Sequence, residues 1–383
     1  MNIKQLTLNT RIVSSKYSLI EIVNDKGYKK IGVICDEKLY QNSEHVRNII
    51  VQLEEQHELF LKLYDNPFEP SYQYLDSLME EIRENNLDQT LEVWIGIGGG
   101  SSMDTAKGLA ILCKNEGASI QYKGFPKNLN KPLPVIAIPS TTGSGSEVVY
   151  NASFIDEDSQ VKMGINYTNH YPEIAILDPV IVSSAPSSVL ASSGCDALVH
   201  SLEAFVSKSS NHVTRVFSTR AFHLIMQNMS LLLDGKGNLE NWSNMQWAAV
   251  FAMWGLSNTS SGPAGALSYH LGTHFQVPHG TAGGVFIGKV SKHNHESGFH
   301  DYADLYGWDT SHDQSLSREE KSQLVIEAIE FLLDKAEIPK TLSECGVRRT
   351  EKDSFLDFVE QVKGAFDFNP VGFNQEDIEN LLI

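Results

Sequence analysis

The first half of the chain alternates short apolar runs with stretches whose apolar residues recur every three or four positions. The apolar runs are KKIGVICD, HELFLKLYD, TLEVWIGIGGG, LPVIAIPS and EIAILDPV. Between two of them, SYQYLDSLMEEIREN brings five residues to one face of a helix: Tyr74, Leu75, Leu78, Met79 and Ile82. Strands that alternate with helices at this spacing predict βαβ units and a mostly parallel sheet.

After about residue 185 the pattern changes to long helical periods. The clearest of these cover Cys195 to Lys208, Val213 to Leu233 and Asn244 to Leu256. The serine-rich connection at residues 184–188 has the composition of a linker. We therefore predict an α/β domain over residues 1–185 and an all-helical domain over residues 186–383.

Composition and charge narrow the class of protein. The chain has 383 residues, 41% of them hydrophobic, which is enough for two domains with large cores. A formal net charge of −18 disfavours binding to nucleic acid or to anionic membranes. The four cysteines are scattered, and the sequence shows neither a signal-peptide pattern nor 18 consecutive apolar residues. These features predict a cytoplasmic protein with no nucleic-acid partner and no membrane partner.

A glycine-rich segment follows one of the predicted strands directly. The apolar run at residues 91–97 leads into GGGSSMDTAK at residues 98–107, which continues as an apolar-periodic helix. Glycines allow close backbone approach to a pyrophosphate, and the helix N-terminus stabilises its negative charge. A tight turn without any ligand is the alternative interpretation of this segment alone.

Two further strand ends favour a phosphate-bearing cofactor. The strand LPVIAIPS runs into a second hydroxyl-rich loop, STTGSGSE, at residues 140–147. Ligands of open parallel sheets bind at the carboxyl ends of the strands, where both loops are predicted to lie. Asp36 ends the strand KKIGVIC, where a carboxylate accepts hydrogen bonds from a ribose and repels a 2′-phosphate. Asp36 therefore suggests NAD over NADP, and an ordinary helix N-cap is its alternative role.

Three residues in the second half have the chemistry of metal ligands. Asp196 and His200 are four positions apart, so on a helix their side chains share one face. We expect that helix to begin with a cap at Ser192 and Ser193. His279, in the segment Pro-His-Gly, is the third candidate. A carboxylate and imidazoles suit one divalent cation, although such residues are more often a surface pair or core histidines when taken alone.

At this point the sequence resembles the iron-containing (group III) alcohol dehydrogenases over nearly its whole length. The resemblance rests on GGGSSMDTAK, IPSTTGSGSE, the strand that ends in Asp178-Pro179, GCDALVHSLEAF and the HLGTHFQVPHG region, in family order and spacing. It implies an N-terminal dinucleotide-binding α/β domain and an all-helical C-terminal domain, the dehydroquinate synthase-like architecture. It also implies iron or zinc, a homodimer, and reversible hydride transfer between a nicotinamide and an alcohol or aldehyde.

The resemblance assigns site residues position by position. The expected cofactor-binding residues are Asp36, Gly98, Gly99, Gly100, Ser101, Asp104, Ser140, Thr141, Ser144, Asn151 and Lys162. Asp196, His200 and His279 match three of the four metal ligands of the family.

The metal set also departs from the family pattern. The remaining histidine ligand normally lies fourteen positions before His279, where this chain has Gly265. Four positions later, Tyr269 stands where the family has a histidine credited with proton transfer. His274 is the preferred replacement ligand, because the chain after Gly272 could turn it inward. His270 or water is the alternative ligand, and Tyr269 or His270 is expected to deliver the proton.

The sequence thus predicts a metal-dependent, NAD-dependent alcohol dehydrogenase or aldehyde reductase that acts on a small or functionalised substrate. One alternative is a metal-free NAD(P)H reductase of the maleylacetate reductase type. The other alternative is a non-catalytic protein that binds a dinucleotide. Its only support in the sequence is Gly265, which replaces a histidine ligand of the family.

Overall fold

The computed structural model describes residues 6–14, 18–66, 69–309, 313, 315–348 and 351–382. They form two compact units. The first unit contains Leu8–Thr141 and Gly145–Ala185, and the second contains residues 186–382, Thr142–Ser144 and residues 6–7. The sequence predicted a division after residue 185 and did not anticipate that Thr142–Ser144 group with the helical unit.

The first unit is built on six parallel strands. They are β1 (Arg11–Ser14), β2 (Lys30–Asp36), β3 (Glu58–Tyr64), β4 (Val93–Gly98), β5 (Val135–Pro139) and β10 (Ile174–Leu177). Their order in the sheet is β1-β10-β5-β4-β2-β3, and every neighbouring pair is parallel. Every residue of β4 and β5 is buried, as expected of strands covered on both faces. The parallel sheet predicted from the alternating pattern is confirmed.

Helices and short hairpins complete this unit. The helices are α1 (Leu19–Lys26), α2 (Glu37–Asn42), α3 (Glu44–Gln56), α4 (Tyr72–Glu84), α5 (Leu87–Thr90), α6 (Gly100–Leu112) and α7 (Pro179–Val182). Four two-residue strands pair antiparallel: β6 (Asn151–Ala152) with β9 (Ile165–Asn166), and β7 (Ile155–Asp156) with β8 (Val161–Lys162). The sequence pattern did not predict these hairpins or the edge strand β1, because such short strands carry little periodicity.

The regular secondary structure of the second unit is entirely helical among the residues that the structure describes. Its helices are α8 (Ser187–Val206), α9 (His212–Leu233), α10 (Leu239–Ser257), α11 (Pro263–Phe275), α12 (His279–Glu296), α13 (Arg318–Lys335), α14 (Lys352–Gln361), α15 (Lys363–Phe366) and α16 (Gln375–Leu381). The predicted C-terminal helical architecture is confirmed.

Helix α8 begins earlier than the sequence suggested. Pro186 occupies its N-cap position, so the expected cap at Ser192 and Ser193 is wrong. Gly194, which follows the two serines, lies inside the helix, where a Cβ atom would be 2.7 Å from the sulfur of Met229. Gly194 therefore permits close packing, and Asp196 and His200 lie in the interior of α8 and not in its first turn.

Helix α8 is long and apolar among the helices of this chain. It is long and apolar enough to cross a membrane, but 83% of its most apolar window is buried inside the protein. Helices α9, α10 and α12 of the same unit pack against it. Its apolar composition is therefore that of a core helix.

Candidate metal centre and cofactor site

Asp196, His200 and His279 converge within the helical unit. Oδ1 of Asp196 lies 3.3 Å from Nε2 of His200 and 3.8 Å from Nε2 of His279. The ligand atoms of all three lie within 4.8 Å of one another. Asp196 and His200 are buried, and His279 is half-buried as the first residue of α12. One carboxylate and two imidazoles at this spacing fit a divalent ion such as iron or zinc.

Ser268, on α11, orients the imidazole of His279. Its hydroxyl donates to the carbonyl oxygen of Gly265 at 2.6 Å, and its oxygen lies 3.1 Å from Nδ1 of His279. Because the hydroxyl proton is engaged by Gly265, Nδ1 of His279 must be the donor in the second hydrogen bond. Nε2 is then unprotonated and faces Asp196, which is the tautomer that a metal ion requires.

Gly280 allows α12 to approach α8. A Cβ atom at Gly280 would lie 1.9 Å from the carbonyl oxygen of Ser192 and 2.8 Å from Cβ of Asp196. Thr281 strengthens the contact by donating its backbone N–H to the Ser192 hydroxyl at 3.2 Å. The glycine of the Pro-His-Gly segment therefore places His279 beside Asp196.

Glu203 occupies the space beside the position of the missing family ligand. This buried carboxylate accepts hydrogen bonds from the backbone N–H groups of Gly262, at 2.7 Å, and Gly265, at 2.9 Å. A Cβ atom at Gly265 would lie 2.4 Å from Oγ of Ser261 and 2.8 Å from Oε2 of Glu203. Position 265 is thus closed to a side chain while Glu203 and Ser261 stand where they do.

The role of Glu203 is to cap the N-terminus of α11. Burial raises the pKa of the Glu203 carboxyl, and the N–H groups of Gly265 and Gly262 oppose that shift. Sequence reasoning did not single out this residue. A signal existed, because Asp196, His200 and Glu203 are spaced i, i+4 and i+7 and share one face of α8.

Of the other two histidines considered, neither joins the three ligands. Helix α11 continues without a turn at Gly272, so the turn expected there is wrong. His274 is exposed, and its Nδ1 lies 2.8 Å from Oγ1 of Thr273. No further His, Cys, Asp or Glu among the described residues completes the group formed by Asp196, His200 and His279.

His270 lies in an aromatic cluster on α11 and α14. Its ring is 4.2 Å from that of His274 and 4.9 Å from that of Phe358, and its Nε2 is 3.2 Å from Oγ of Ser354. Burial and the neighbouring His274 lower the pKa of His270 to about 4. His270 is therefore neutral at ordinary pH and packs as a core residue.

Tyr269, in contrast, lies against the candidate ligands. Its ring stacks on that of His279, with 5.3 Å between the ring centroids and an interplanar angle of 17°. Of the two residues predicted to deliver a proton, only Tyr269 lies against one of the three candidate ligands.

The glycine loop has the expected strand, turn and helix order. Strand β4 ends at Gly98, and Gly99 is the N-cap of α6, which starts at Gly100. Gly98 has a φ of 153°, and a Cβ atom there would lie 2.4 Å from Oγ of Ser102. A Cβ atom at Gly99 would make only an ordinary 3.4 Å contact with Thr141. The fold therefore requires glycine at 98, whereas at 99 the surrounding protein leaves room for a Cβ atom.

The second loop lies beside the first. The backbone N–H of Ser140 donates to the carbonyl oxygen of Gly98 at 2.8 Å, and Thr141 faces Gly99. Ser144, also predicted to bind the cofactor, groups with the helical unit. At the start of α6, Ser101 hydrogen-bonds the hydroxyl of Tyr64. Tyr64 is a neighbour of the loop that sequence reasoning did not identify.

Asp36 has the capping role considered for it and also lies beside the glycine loop. It is the N-cap of α2, and its Oδ1 accepts from the backbone N–H of Leu39 at 2.7 Å. It also borders the glycine loop, because a Cβ atom at Gly98 would lie 3.0 Å from Cβ of Asp36. A capping role therefore does not remove Asp36 from the candidate cofactor site.

The remaining candidate residues are engaged with other protein groups. Asn151 donates its amide to Oδ1 of Asn166 at 2.9 Å. Nζ of Lys162 lies 2.6 Å from Oε1 of Glu69. Asp104 is buried and accepts from the backbone N–H of Ser153 at 2.8 Å.

Two family models match the chain. Residues 9–179 match "Iron-containing alcohol dehydrogenase", and residues 190–383 match "Fe-containing alcohol dehydrogenase family, C-terminal". Together they cover most of the sequence, including every candidate site residue.

Individual proteins extend this similarity. The chain is 30% identical over 290 residues to the 1,3-propanediol dehydrogenase of Klebsiella pneumoniae. The aligned region covers 75% of this chain and 74% of that protein. A crystal structure of a 1,3-propanediol oxidoreductase superposes with a TM-score of 0.87 at 25% identity, over 99% of both chains. The alcohol dehydrogenase from Oenococcus oeni has a TM-score of 0.88 at 23% identity, over 98% of both chains, and shares the fold.

Proposed function

This chain belongs to the iron-containing alcohol dehydrogenase family, and we propose that it is an NAD-dependent, metal-dependent alcohol dehydrogenase or aldehyde reductase. The family consists of oxidoreductases that interconvert alcohols and aldehydes, and this chain is an oxidoreductase of that class. A small or functionalised alcohol is the proposed substrate. The homodimer and the cytoplasmic location stay predictions of the sequence.

The observation that carries the proposal is the convergence of Asp196, His200 and His279. These three side chains would hold Fe²⁺ or Zn²⁺, which would supply Lewis acidity to the substrate oxygen. Ser268 keeps His279 in the tautomer that binds a cation. This oriented donor set argues against the metal-free alternative.

The glycine loop supports the cofactor half of the proposal. The first turn of α6 offers backbone N–H groups that have no partner within the helix, at the positive end of its dipole. A pyrophosphate bound there fits the open space at Gly99. Asp36 borders the loop and supports NAD over NADP.

Tyr269 is the proposed proton-transfer residue. Its ring stacks on His279, whereas His270 is packed against Phe358 and has a lowered pKa. A phenol hydroxyl can hold or pass a proton when it lies within hydrogen-bond reach of the reacting oxygen. A bound nicotinamide would supply the hydride chemistry, and the protein would align the reacting carbons and exclude water.

Turnover followed by NADH absorbance tests the proposal. The chelator-stripped protein is assayed in both directions with a panel of small alcohols and aldehydes, with Fe²⁺ and Zn²⁺ added separately. We expect about one ion per chain and activity that returns with metal. His200→Ala and His279→Ala should each lose both metal and turnover, because two ligands hold an ion poorly. Full turnover in excess chelator would establish the metal-free reductase, and NADH binding without turnover would establish the non-catalytic protein.

His274→Ala tests the expected replacement ligand. Since His274 is exposed and outside the group of three ligands, we expect its removal to leave metal content and affinity unchanged. A large drop in metal content would instead identify His274 as the ligand that compensates for Gly265.

A further inference from the structure

Lys107 is a lysine with no exposed surface, on the helix that follows the glycine loop. Its Nζ lies 2.9 Å from a carboxylate oxygen of Asp104. It also donates to three carbonyl oxygens, those of Ser146 at 3.1 Å, Val149 at 3.3 Å and Asn151. Four protein oxygens surround an ammonium that has three N–H groups. The charge is therefore satisfied by the protein and is not directed at a phosphate.

Asp104 holds the same segment by its other contacts. Its Oδ1 accepts from the hydroxyl of Ser146, and its Oδ2 accepts from the backbone N–H of Ser153 at 2.8 Å. The two side chains thus fasten residues 146–153, which we call the strap, to α6. Both charged groups are buried, so each needs the opposite charge and the polar groups of the strap to compensate for the lost contact with water.

The chain before the strap is fixed to the glycine loop as well. Ser140 donates its backbone N–H to the carbonyl oxygen of Gly98 at 2.8 Å. The connection that leaves β5 is therefore tied to β4 where it begins, and to α6 at Ser146. In this way α6 sets the position of both the glycine loop and the strap.

The order of strands indicates which half of a dinucleotide the strap would meet. Strand β4 lies between β2 and β5 in the sheet. A dinucleotide with its adenosine ribose at Asp36 on β2 and its pyrophosphate at Gly99 after β4 must extend toward the side of β5. The strap follows β5 along the chain, so the nicotinamide half is the part that reaches it.

We propose that Lys107, paired with Asp104, is a positioning residue that holds the strap against α6 and thereby aligns the nicotinamide half of the dinucleotide with the pyrophosphate loop. Lys107 makes no contact with the cofactor in this arrangement. The inference rests on the proposed dinucleotide-dependent function and assigns a role within it.

Lys107→Met removes the ammonium and keeps the length and the apolar stem of the side chain. We expect the Kd of NADH to rise at least about tenfold and kcat to fall by a similar factor, because the nicotinamide is misplaced. The Kd of ADP should stay within about twofold of the wild-type value, since its phosphates need only the first turn of α6. Calorimetry with NADH and with ADP gives both constants.

A double variant separates positioning from simple stability. Lys107→Met alone leaves the carboxylate of Asp104 buried without its partner, so its Tm should fall. Adding Asp104→Asn removes that lone charge, and the Tm should recover while the NADH-to-ADP ratio of Kd values stays high. Leu53→Ala is the control, because Leu53 is fully buried on α3 and packs in a hydrophobic cluster that contains no residue of the strap. It should lower the Tm without changing the ratio.

Two results would overturn the positioning role. The first is a ratio of Kd values that recovers together with the Tm in the double variant, which would make the pair merely structural. The second is a Lys107→Met protein whose Kd for ADP rises by the same factor as its Kd for NADH, which would place Lys107 in the phosphate site. A wild-type protein that binds neither NADH nor ADP would contradict the proposed function itself, and that result is distinct from both.

Discussion

Gly280 packs its backbone directly against the carbonyl of Ser192, between the two helices that carry the candidate metal ligands. A Cβ atom at Gly280 would lie 1.9 Å from the carbonyl oxygen of Ser192, so no other residue fits while α8 and α12 keep their positions. His279 immediately precedes this contact and faces Asp196 across it. The arrangement of the three candidate ligands therefore depends on a glycine that contributes no ligand.

Gly280→Ala should consequently weaken metal binding without altering any ligand. The added methyl group pushes the start of α12 away from α8, which separates His279 from Asp196 and disturbs packing between the helices. We expect a loss of metal measured by elemental analysis and a lower Tm. Gly288→Ala in the same helix is the control, because its Cβ would meet only the side-chain tip of Leu333 at 3.1 Å. Equal metal content in the two variants would contradict this account of Gly280.

Ser268→Ala should weaken metal binding more gently. It removes the hydrogen bond that keeps Nδ1 of His279 protonated and Nε2 available, while Asp196 and His200 stay in place. Loss of such a supporting hydrogen bond typically lowers metal affinity about 10-fold to 100-fold. Calorimetric titration with Zn²⁺ measures the change. Ser218→Ala, at a fully buried serine of α9 that bonds only a backbone carbonyl in the structure, should leave the affinity unaltered.

The parts of the site that sequence could predict are those set by local patterns. Asp196 and His200 share a face because a helix brings together residues four positions apart. Gly98 and Gly99 stand between an apolar run and a periodic helix, which is enough to predict their turn. Strand β4 was recognisable because burial on both faces makes its residues continuously apolar.

The parts that sequence could not predict depend on contacts between distant segments. The capping of α11 by Glu203 joins residues 62 positions apart, and no local pattern encodes it. The prediction of His274 as the replacement ligand assumed a turn after Gly272, but α11 continues through that glycine. In an α-helix, His274 lies nine residues and so about 180° from Gly265, on the opposite face, whereas Tyr269 lies within about 40° of it. Tyr269 is accordingly the residue found beside His279.

Substitutions at Gly98 and Gly99 should separate folding from cofactor binding. Gly99→Val places its side chain in ordinary contact with Thr141, so the Tm should change little, while the branched side chain blocks the path of a pyrophosphate. We expect NADH binding to be abolished in a fluorescence titration. Gly98→Ala should instead lower the Tm, because its φ of 153° and the nearby hydroxyl of Ser102 both oppose a side chain. Normal NADH binding by Gly99→Val would show that the loop is a structural turn that does not bind the pyrophosphate.

Stability should depend on pH through Glu147, a fully buried glutamate at the start of the strap. Burial raises its pKa to about 7 from an ordinary 4.5, so the folded protein binds this proton more tightly than the unfolded chain. The stabilisation that comes from this proton is fully present below pH 4.5 and is lost as the pH rises through 7. Glu147→Gln mimics the protonated carboxyl and escapes that loss. The unfolding free energy of the variant relative to wild type should therefore increase between pH 4.5 and 7, by up to about 3 kcal/mol.

Denaturant unfolding of both proteins at several pH values measures this difference. His170, whose pKa burial lowers to about 4, gives the opposite dependence in both proteins and cancels in the comparison. Glu80→Gln, at an exposed glutamate of α4, controls for the loss of a carboxylate as such. A difference that does not vary with pH would show that Glu147 is not protonated in the folded protein near neutrality.

Cofactor choice should be controlled by the charge of Asp36 and not by its capping hydrogen bond. Asp36→Asn preserves the size of the side chain and an oxygen that can accept from Leu39, and the two residues cap helices about equally well. The Tm should therefore change little. The repulsion that a carboxylate beside Gly98 exerts on a 2′-phosphate is lost, so the NADP-to-NAD ratio of kcat/KM values should rise at least about tenfold, which corresponds to roughly 1.4 kcal/mol. Asp36→Glu retains the charge and should retain the preference for NAD even where its longer side chain caps α2 less well. A wild-type enzyme that prefers NADPH, or an Asp36→Asn variant whose ratio does not change, would show that Asp36 serves only as the N-cap of α2.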